Sequence, residues 1–299
     1  MRVVAHTDPL IWDYMCPMTR KYKADVAELL AKEKWSILDD FTEQLSGEAT
    51  PVLKVQTSSG PALLRYAIEE SQLQAYKNLA KSSVTPNLLQ YGNQNGEQWG
   101  LIEWIEGTPI VKTGLSGSEV RKCILEIVSA ATSLYVCEAP EDEIFKRPTH
   151  AREAEDGFKK IGLLDESGPP VAQIISEVGN PYMALHGDLF WGNVLRTSRG
   201  MFFIDPTESY GPREKDLTWM VAAEVAEVVS HGKTKSALSM AEKYIESIHE
   251  SVEFLTEESL RAWISVGLVY DAYLRLAYGI SNITECQKIV RVGGILYNG

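Results

Sequence analysis

Residues 183–216 read MALHGDLFWGNVLRTSRGMFFIDPTESYGPREKD, and the arrangement of the whole chain turns on this stretch. Two apolar runs, Asn193–Leu195 and Met201–Ile204, flank a polar turn at Arg196–Gly200. Short apolar runs on either side of a Gly-containing turn predict a β-hairpin. A hairpin brings its outer ends together. Asp188 and Asn193 stand before or at the start of the first strand, and Asp205 ends the second. The fold therefore gathers two carboxylates and one amide in a small volume. Phosphoryl transfer needs such a set: one carboxylate orients an attacking hydroxyl and takes its proton, while oxygen ligands hold Mg²⁺ against nucleotide phosphates.

Working outward, the two sides of this stretch differ. Before it, residues 22–34 place Val26, Leu29 and Leu30 on one helical face. PVLKVQT and PALLRYA predict two strands around Ser58-Ser59-Gly60, and residues 69–81 predict a helix. More strands are expected over 84–104, turning at Asn93-Gln94-Asn95-Gly96. Long helices are expected at 118–137, 170–179, 216–231, 235–254 and 257–279, and the pair Gly293-Gly294 predicts a turn. The expectation is an α+β chain of two lobes with a cleft between them. Residues 1–106 form an N-terminal extension and a small β-rich lobe, and 107–299 a larger, mainly helical lobe. The boundary falls at Glu106-Gly107-Thr108-Pro109.

Composition narrows the function classes. The chain has 299 residues, 44% hydrophobic, and a formal net charge of −12 spread over both halves. Such acidity argues against nucleic-acid partners, because a duplex binder concentrates Lys and Arg to neutralise phosphates. Cys16, Cys123, Cys137 and Cys286 form no CxxC pair, so neither a zinc site nor a redox dithiol is expected. The first residues, MRVVAHTDPLIWDYMCPM, do not read as a signal peptide, and no stretch approaches a membrane span. A cytoplasmic location without a membrane partner is the expectation.

The central stretch also carries a resemblance. His186-Gly187-Asp188, then Asn193, then Ile204-Asp205-Pro206, resembles the signature of the aminoglycoside phosphotransferase and choline kinase family. That family is distantly related to protein kinases, which share the Asp-to-Asn spacing. The resemblance implies a protein-kinase-like fold, ATP (with GTP as the alternative) and Mg²⁺ as cofactors, and a small-molecule acceptor with a free hydroxyl. Asp188 is implied as the catalytic base and Asn193 and Asp205 as metal ligands. His186 would brace the loop, and Asp216, opening a helix, would cap and steady the catalytic segment. The spacing through Gly211 to Asp216 resembles the streptomycin- and hydroxyurea-type branch. The chain departs from the family at Phe190-Trp191, where His-Pro is common; two aromatics there could change how the acceptor is received.

For the nucleotide, Leu45–Thr50 resembles the loop that covers ATP. Arg65 is the implied phosphate cation, favoured over Lys54 because a guanidinium grips phosphate oxygens bidentately. Glu70 or Glu69, with Gln72 in another register, would orient it, and hinge positions Glu103 and Ile105 would meet the adenine edge. For the acceptor, Glu208 and Asp271 are the candidates, although Asp271 could instead pair with Arg275 four residues on. Trp263, Tyr270, Tyr273 and Tyr278 read first as core and second as pocket lining. An aminoglycoside-like antibiotic is the first acceptor expected. A choline, homoserine or sugar-type metabolite, or a nucleotide-binding pseudokinase, is the alternative.

Overall fold

The structure is a computed structural model, and it describes residues 22–40, 51–110, 115–138, 155–157, 159, 168–177, 183–207 and 209–299. The chain divides into two compact units, Met1–Ala80 with Thr85–Gly107, and Lys81–Val84 with Thr108–Gly299.

The first unit is built on a five-stranded antiparallel sheet. Its strands are β1 (Ser36–Asp40), β2 (Val52–Thr57), β3 (Gly60–Tyr66), β4 (Leu88–Gln94) and β5 (Glu97–Glu103), in the order β1-β2-β3-β5-β4. The β4–β5 turn sets Asn95 at φ 52° and Gly96 at φ 90°. Two successive positive φ values define the hairpin turn that Asn-Gly adopts most readily. Helix α1 (Lys23–Glu33) buries Val26, Leu29 and Leu30 with Leu64, Tyr66 and Trp99 of the sheet. Helix α2 (Glu70–Leu79) packs Leu73 and Tyr76 against Ile102 and Leu63, residues of the opposite face. The strand β1 was not expected. Its sequence, SILDD, has two apolar residues followed by two acids, too short a pattern to show a period of two.

The second unit begins with β6 (Thr108–Pro109), followed by α3 (Gly117–Ala131), which opens on a Ser116–Glu119 capping box. After α4 (Val171–Glu177) come β7 (Met183–Leu185), β8 (Val194–Thr197), β9 (Gly200–Phe203) and β10 (Ser209–Gly211). These make two small sheets, β6-β8-β9 and β10-β7. Four helices complete the unit: α5 (Arg213–Ser230), α6 (Thr234–Ser251), α7 (Glu257–Ala277) and α8 (Ile283–Asn298). No helix among the described residues is long and apolar enough to cross a membrane.

Helix α8 corrects the turn expected at Gly293-Gly294. Both glycines lie buried inside it, and its start is marked by an Asn282–Glu285 capping box. A Cβ on Gly293 would stand 3.2 Å from the Ser265 carbonyl oxygen, so the missing side chain lets α8 lie close on α7. Gly267 does the same between α7 and α5: its Cβ would stand 2.6 Å from that of Ala222. A methyl group at that position forces the helices apart. Overpacking costs about 1–3 kcal/mol and outweighs the roughly 1 kcal/mol of helix propensity that alanine adds. Gly267→Ala is expected to lower Tm by several degrees in thermal denaturation; an unchanged or raised Tm would show that the packing gives way freely.

Candidate active site

Strand β7 leads directly into the central loop and is tied to β10, with Leu185 opposite Ser209. His186 follows, fully buried. Its Nε2 lies 2.9 Å from the Ile204 carbonyl oxygen, an acceptor only, so the ring carries its hydrogen on Nε2. Burial pushes its pKa down to about 4, which keeps the imidazole neutral near pH 7. The ring also meets Phe203 edge-on, with centroids 6.4 Å apart. The His186 carbonyl accepts from Thr207 N–H at 2.8 Å. His186 thus ties the loop to the end of the hairpin.

Asp216 holds the same loop from the other side. Its Oδ2 accepts from His186 N–H at 2.6 Å and its Oδ1 from Gly187 N–H at 3.1 Å. Although only 3% exposed, it makes no cap for its own helix, where Pro212 occupies the N-cap position without a side-chain bond. It receives the backbone of the His186-Gly187 segment instead of capping its helix. Burial pushes its pKa up to about 6, against the opposing effects of Lys215 and the two backbone N–H groups.

Between these anchors the predicted polar groups meet. The hairpin pairs β8 with β9, Val194 opposite Phe203, and turns at Ser198-Arg199. Asn193 O accepts from Ile204 N–H at 2.9 Å. The Asn193 Nδ2 donates to the Asp188 carbonyl at 2.8 Å and to Asp188 Oδ2 at 2.9 Å. Both amide hydrogens are thereby used, and no described residue donates to its Oδ1. Asp205 follows Ile204 in the left-handed region, φ 59°, a conformation Asp tolerates better than most residues. Asp188 reaches solvent, yet the protein packed around it raises its pKa; the Asn193 bond opposes that rise and the Asp205 charge adds to it. Asp188, the Asn193 amide and Asp205 therefore lie near one another. Among the described residues no three His, Cys, Asp or Glu side chains stand together as a metal cage. Mg²⁺ held against nucleotide phosphates does not need one, since one or two carboxylates suffice. The donor set fits that ion.

Beside Asp188 lies a cavity of about 140 Å³. Lys215, Trp219, Trp263 and Tyr270 line it, with Val266 and Leu274 closing the apolar side. Trp263 is both core and lining, whereas Tyr273 and Tyr278 are exposed and belong to neither. Asp271 does not line this cavity: its carboxylate pairs with Arg275, which also reaches Glu227 at 3.0 Å. Trp191 is buried in the core, whereas Phe190, two residues beyond Asp188, lies exposed. Lys215 and Trp219 were missed in the sequence. The signal was present: one directly precedes Asp216 and the other follows it by about a turn of α5. Glu208 lies outside the described residues.

In the first unit, Arg65 lies half-buried on β3. It stands opposite Val52, and Lys54 stands opposite Leu63, so both cations share the face that carries α2. The Lys54 ammonium lies 3.8 Å over the Trp104 ring and 3.3 Å from Glu106 Oε1. Glu70 begins α2 and accepts from Gln98 Nε2 at 3.3 Å; Glu69 is its N-cap residue. Glu103 accepts from the Asn87 side chain at 2.7 Å, and its N–H donates to Asn87 O. The Ile105 side chain is buried, while its N–H meets no acceptor among the described residues. Leu45–Thr50, the expected nucleotide loop, lies outside the described residues.

A sheet-rich first part, a helical second part and a phosphotransferase family match define a small-molecule kinase. Residues 42–231, more than half of the chain, match the phosphotransferase enzyme family (APH), and the chain belongs to it. Comparison with curated proteins finds no match. A choline/ethanolamine kinase family protein from Mesorhizobium loti superposes with TM-score 0.54 at 15% identity, over 94% of this chain and 100% of its own. Aminoglycoside 2'-phosphotransferase-IIIa, in a GDP complex, gives 0.51 at 12% identity, over 93% and 98%. ADP-bound aminoglycoside phosphotransferase APH(2'')-Ib gives 0.50 at 13%, over 92% and 98%. The likeness is one of fold, and the fold is the kinase-like α+β arrangement expected from the sequence.

Proposed function

We propose that this protein transfers the γ-phosphoryl group of ATP, with Mg²⁺, to a hydroxyl of a small molecule. One observation carries the reading. The Asn193 amide clasps Asp188 through both of its hydrogens, which orients that carboxylate, and Asp205 stands near enough for its charge to act on Asp188. Asp188 accepts the proton of the acceptor hydroxyl as the new O–P bond forms; the bond between the γ-phosphorus and the β–γ bridging oxygen breaks, and ADP leaves. Asn193 Oδ1 and the Asp205 carboxylate would hold Mg²⁺, which supplies charge neutralisation to the phosphates. His186 and Asp216 fix the loop backbone so that Asp188 does not reorganise during transfer. In the first unit, Arg65 is the proposed phosphate contact and Glu70 the helix carboxylate expected to orient it. The hinge at Glu103 and Ile105 would meet the nucleotide base, the open Ile105 N–H as donor.

Asp205→Ala tests the metal assignment. Its Kd for ATP is expected to rise about tenfold or more with Mg²⁺ present and to change little in EDTA. An ATP affinity equally dependent on Mg²⁺ in the variant and the native protein would remove Asp205 from the ligand set.

A further inference from the structure

Asp216 receives the backbone of the loop that carries Asp188, and a second buried group stands behind that carboxylate. Tyr135 follows the single 3-10 turn Thr132–Leu134 at the end of α3 and is only 7% exposed. Two residues on, Cys137 O accepts from Ala184 N–H at 2.9 Å, and Glu138 bridges Met183 antiparallel. The segment runs antiparallel beside β7, which brings Tyr135 toward the end of that strand. There His186 and Gly187 give their N–H groups to Asp216.

The Tyr135 hydroxyl is buried and completes no hydrogen bond among the described residues. A buried donor without a partner is costly. Burial holds the phenol's pKa well above its usual value, and Asp216 is the next cause, through its charge and as a hydrogen-bond acceptor. The two groups are thus within reach of one another without an aligned bond between them. Glu214 adds to the rise on the phenol and Arg213 opposes it. Around Asp216, the Lys215 charge opposes ionisation loss and the Asp188 charge promotes it. Asp216 has lone pairs to spare. Each carboxylate oxygen carries two, and each accepts one backbone N–H.

We infer that Tyr135 is a positioning residue for the transfer: its hydroxyl donates to the ionised Asp216 carboxylate and so ties the end of α3 to the loop that carries Asp188. The inference rests on the kinase reading, since positioning matters only where Asp188 works in turnover.

An ionised carboxylate accepts such a bond better than a protonated one, so the hydroxyl favours the charged form of Asp216. Tyr135→Phe keeps the ring and removes the donor. It should lift the Asp216 titration from about 6 by about one further pH unit. A folded pKa moved further above the unfolded 3.8 costs stability only where the group is ionised. The Tm of the variant should therefore fall increasingly behind that of the native protein as pH rises from 5 to 8. Lost packing alone would give the same gap at every pH, and in an Asp216→Asn background the gap should not change with pH. Mg-ATP hydrolysis by the full chain, with water as acceptor, reads the function. Its kcat should fall about fivefold near pH 6 and hardly at all at pH 8, with KM for ATP unchanged. Tyr135→3-fluorotyrosine, a stronger donor of nearly the same shape, should move both readings the other way, and it decides the matter should the phenylalanine variant not fold. A gap that does not change with pH, or a kcat profile that does not move, overturns the inference and leaves the kinase reading intact. A widening gap in a protein that neither hydrolyses Mg-ATP nor is stabilised by it would establish the Tyr135–Asp216 bond but sink the kinase reading, and the positioning role with it.

Discussion

Asp188→Asn is expected to bind Mg-ATP with nearly native affinity while turnover falls by about 10²- to 10⁴-fold, some 3–5 kcal/mol of barrier, because a positioned general base contributes that much. The substitution is nearly isosteric. An amide oxygen at the same place still accepts from Asn193 Nδ2, and the second bond from that amide, to the Asp188 backbone carbonyl, does not involve the side chain at all. What disappears is the ability to take a proton. The effect should therefore fall on kcat and leave nucleotide-induced stabilisation in place. Nucleotide titration by thermal shift together with steady-state ADP release checks both halves. Near-native turnover would remove Asp188 from the role of base; loss of nucleotide affinity alongside turnover would assign it to the metal instead.

The hairpin that makes this prediction possible was legible because its signals are local. Two apolar runs and a Gly-containing turn announce the hairpin; the structure tightens the expected Arg196–Gly200 turn to Ser198-Arg199, and that register makes positions 193 and 204 neighbours. Residue spacing then places Asp188 and Asp205 at the same end. What the sequence hid depends on packing between distant elements. Gly293-Gly294 looks like a turn in one dimension; it becomes a helix–helix contact only once Ser265 is known to lie against it. Lys215 and Trp219 acquire meaning only when α5 turns toward α7 and the wall of a cavity appears between them. Asp271 shows the reverse case. The alternative of pairing with Arg275 could be written from an i, i+4 spacing, yet only the third member, Glu227 on a different helix, shows how fully the guanidinium is engaged.

Asp216→Ala should be nearly as damaging to activity as loss of the base, although Asp216 need not touch the reacting atoms. Its carboxylate accepts two backbone N–H groups at the start of the catalytic loop, and removal leaves both without a partner in a buried place. Each such donor costs about 1–3 kcal/mol. Stability should fall by less than their sum, because the buried charge is itself unfavourable, as its pKa of about 6 shows. Turnover should fall by a larger factor, since Gly187 and Asp188 lose the fixed position on which in-line transfer depends. Asp216→Asn separates the two effects. It keeps one acceptor oxygen, presents an N–H₂ to the other backbone donor, and should retain more stability than activity. Acid titration adds an independent reading. His186, pushed down to about 4 from 6.5, loses its stabilising contribution as pH falls through that window, because the unfolded chain takes up the proton first. Asp216, pushed up to about 6 from 3.8, does the opposite over nearly the same range, since the folded chain takes up its proton first. The two largely offset one another in the native protein. In Asp216→Asn only the His186 effect remains, so the Tm of the variant should drop more steeply than that of the native protein between pH 6.5 and 4. Parallel Tm profiles would show that Asp216 titrates alike in the folded and unfolded chain, so that burial does not raise it.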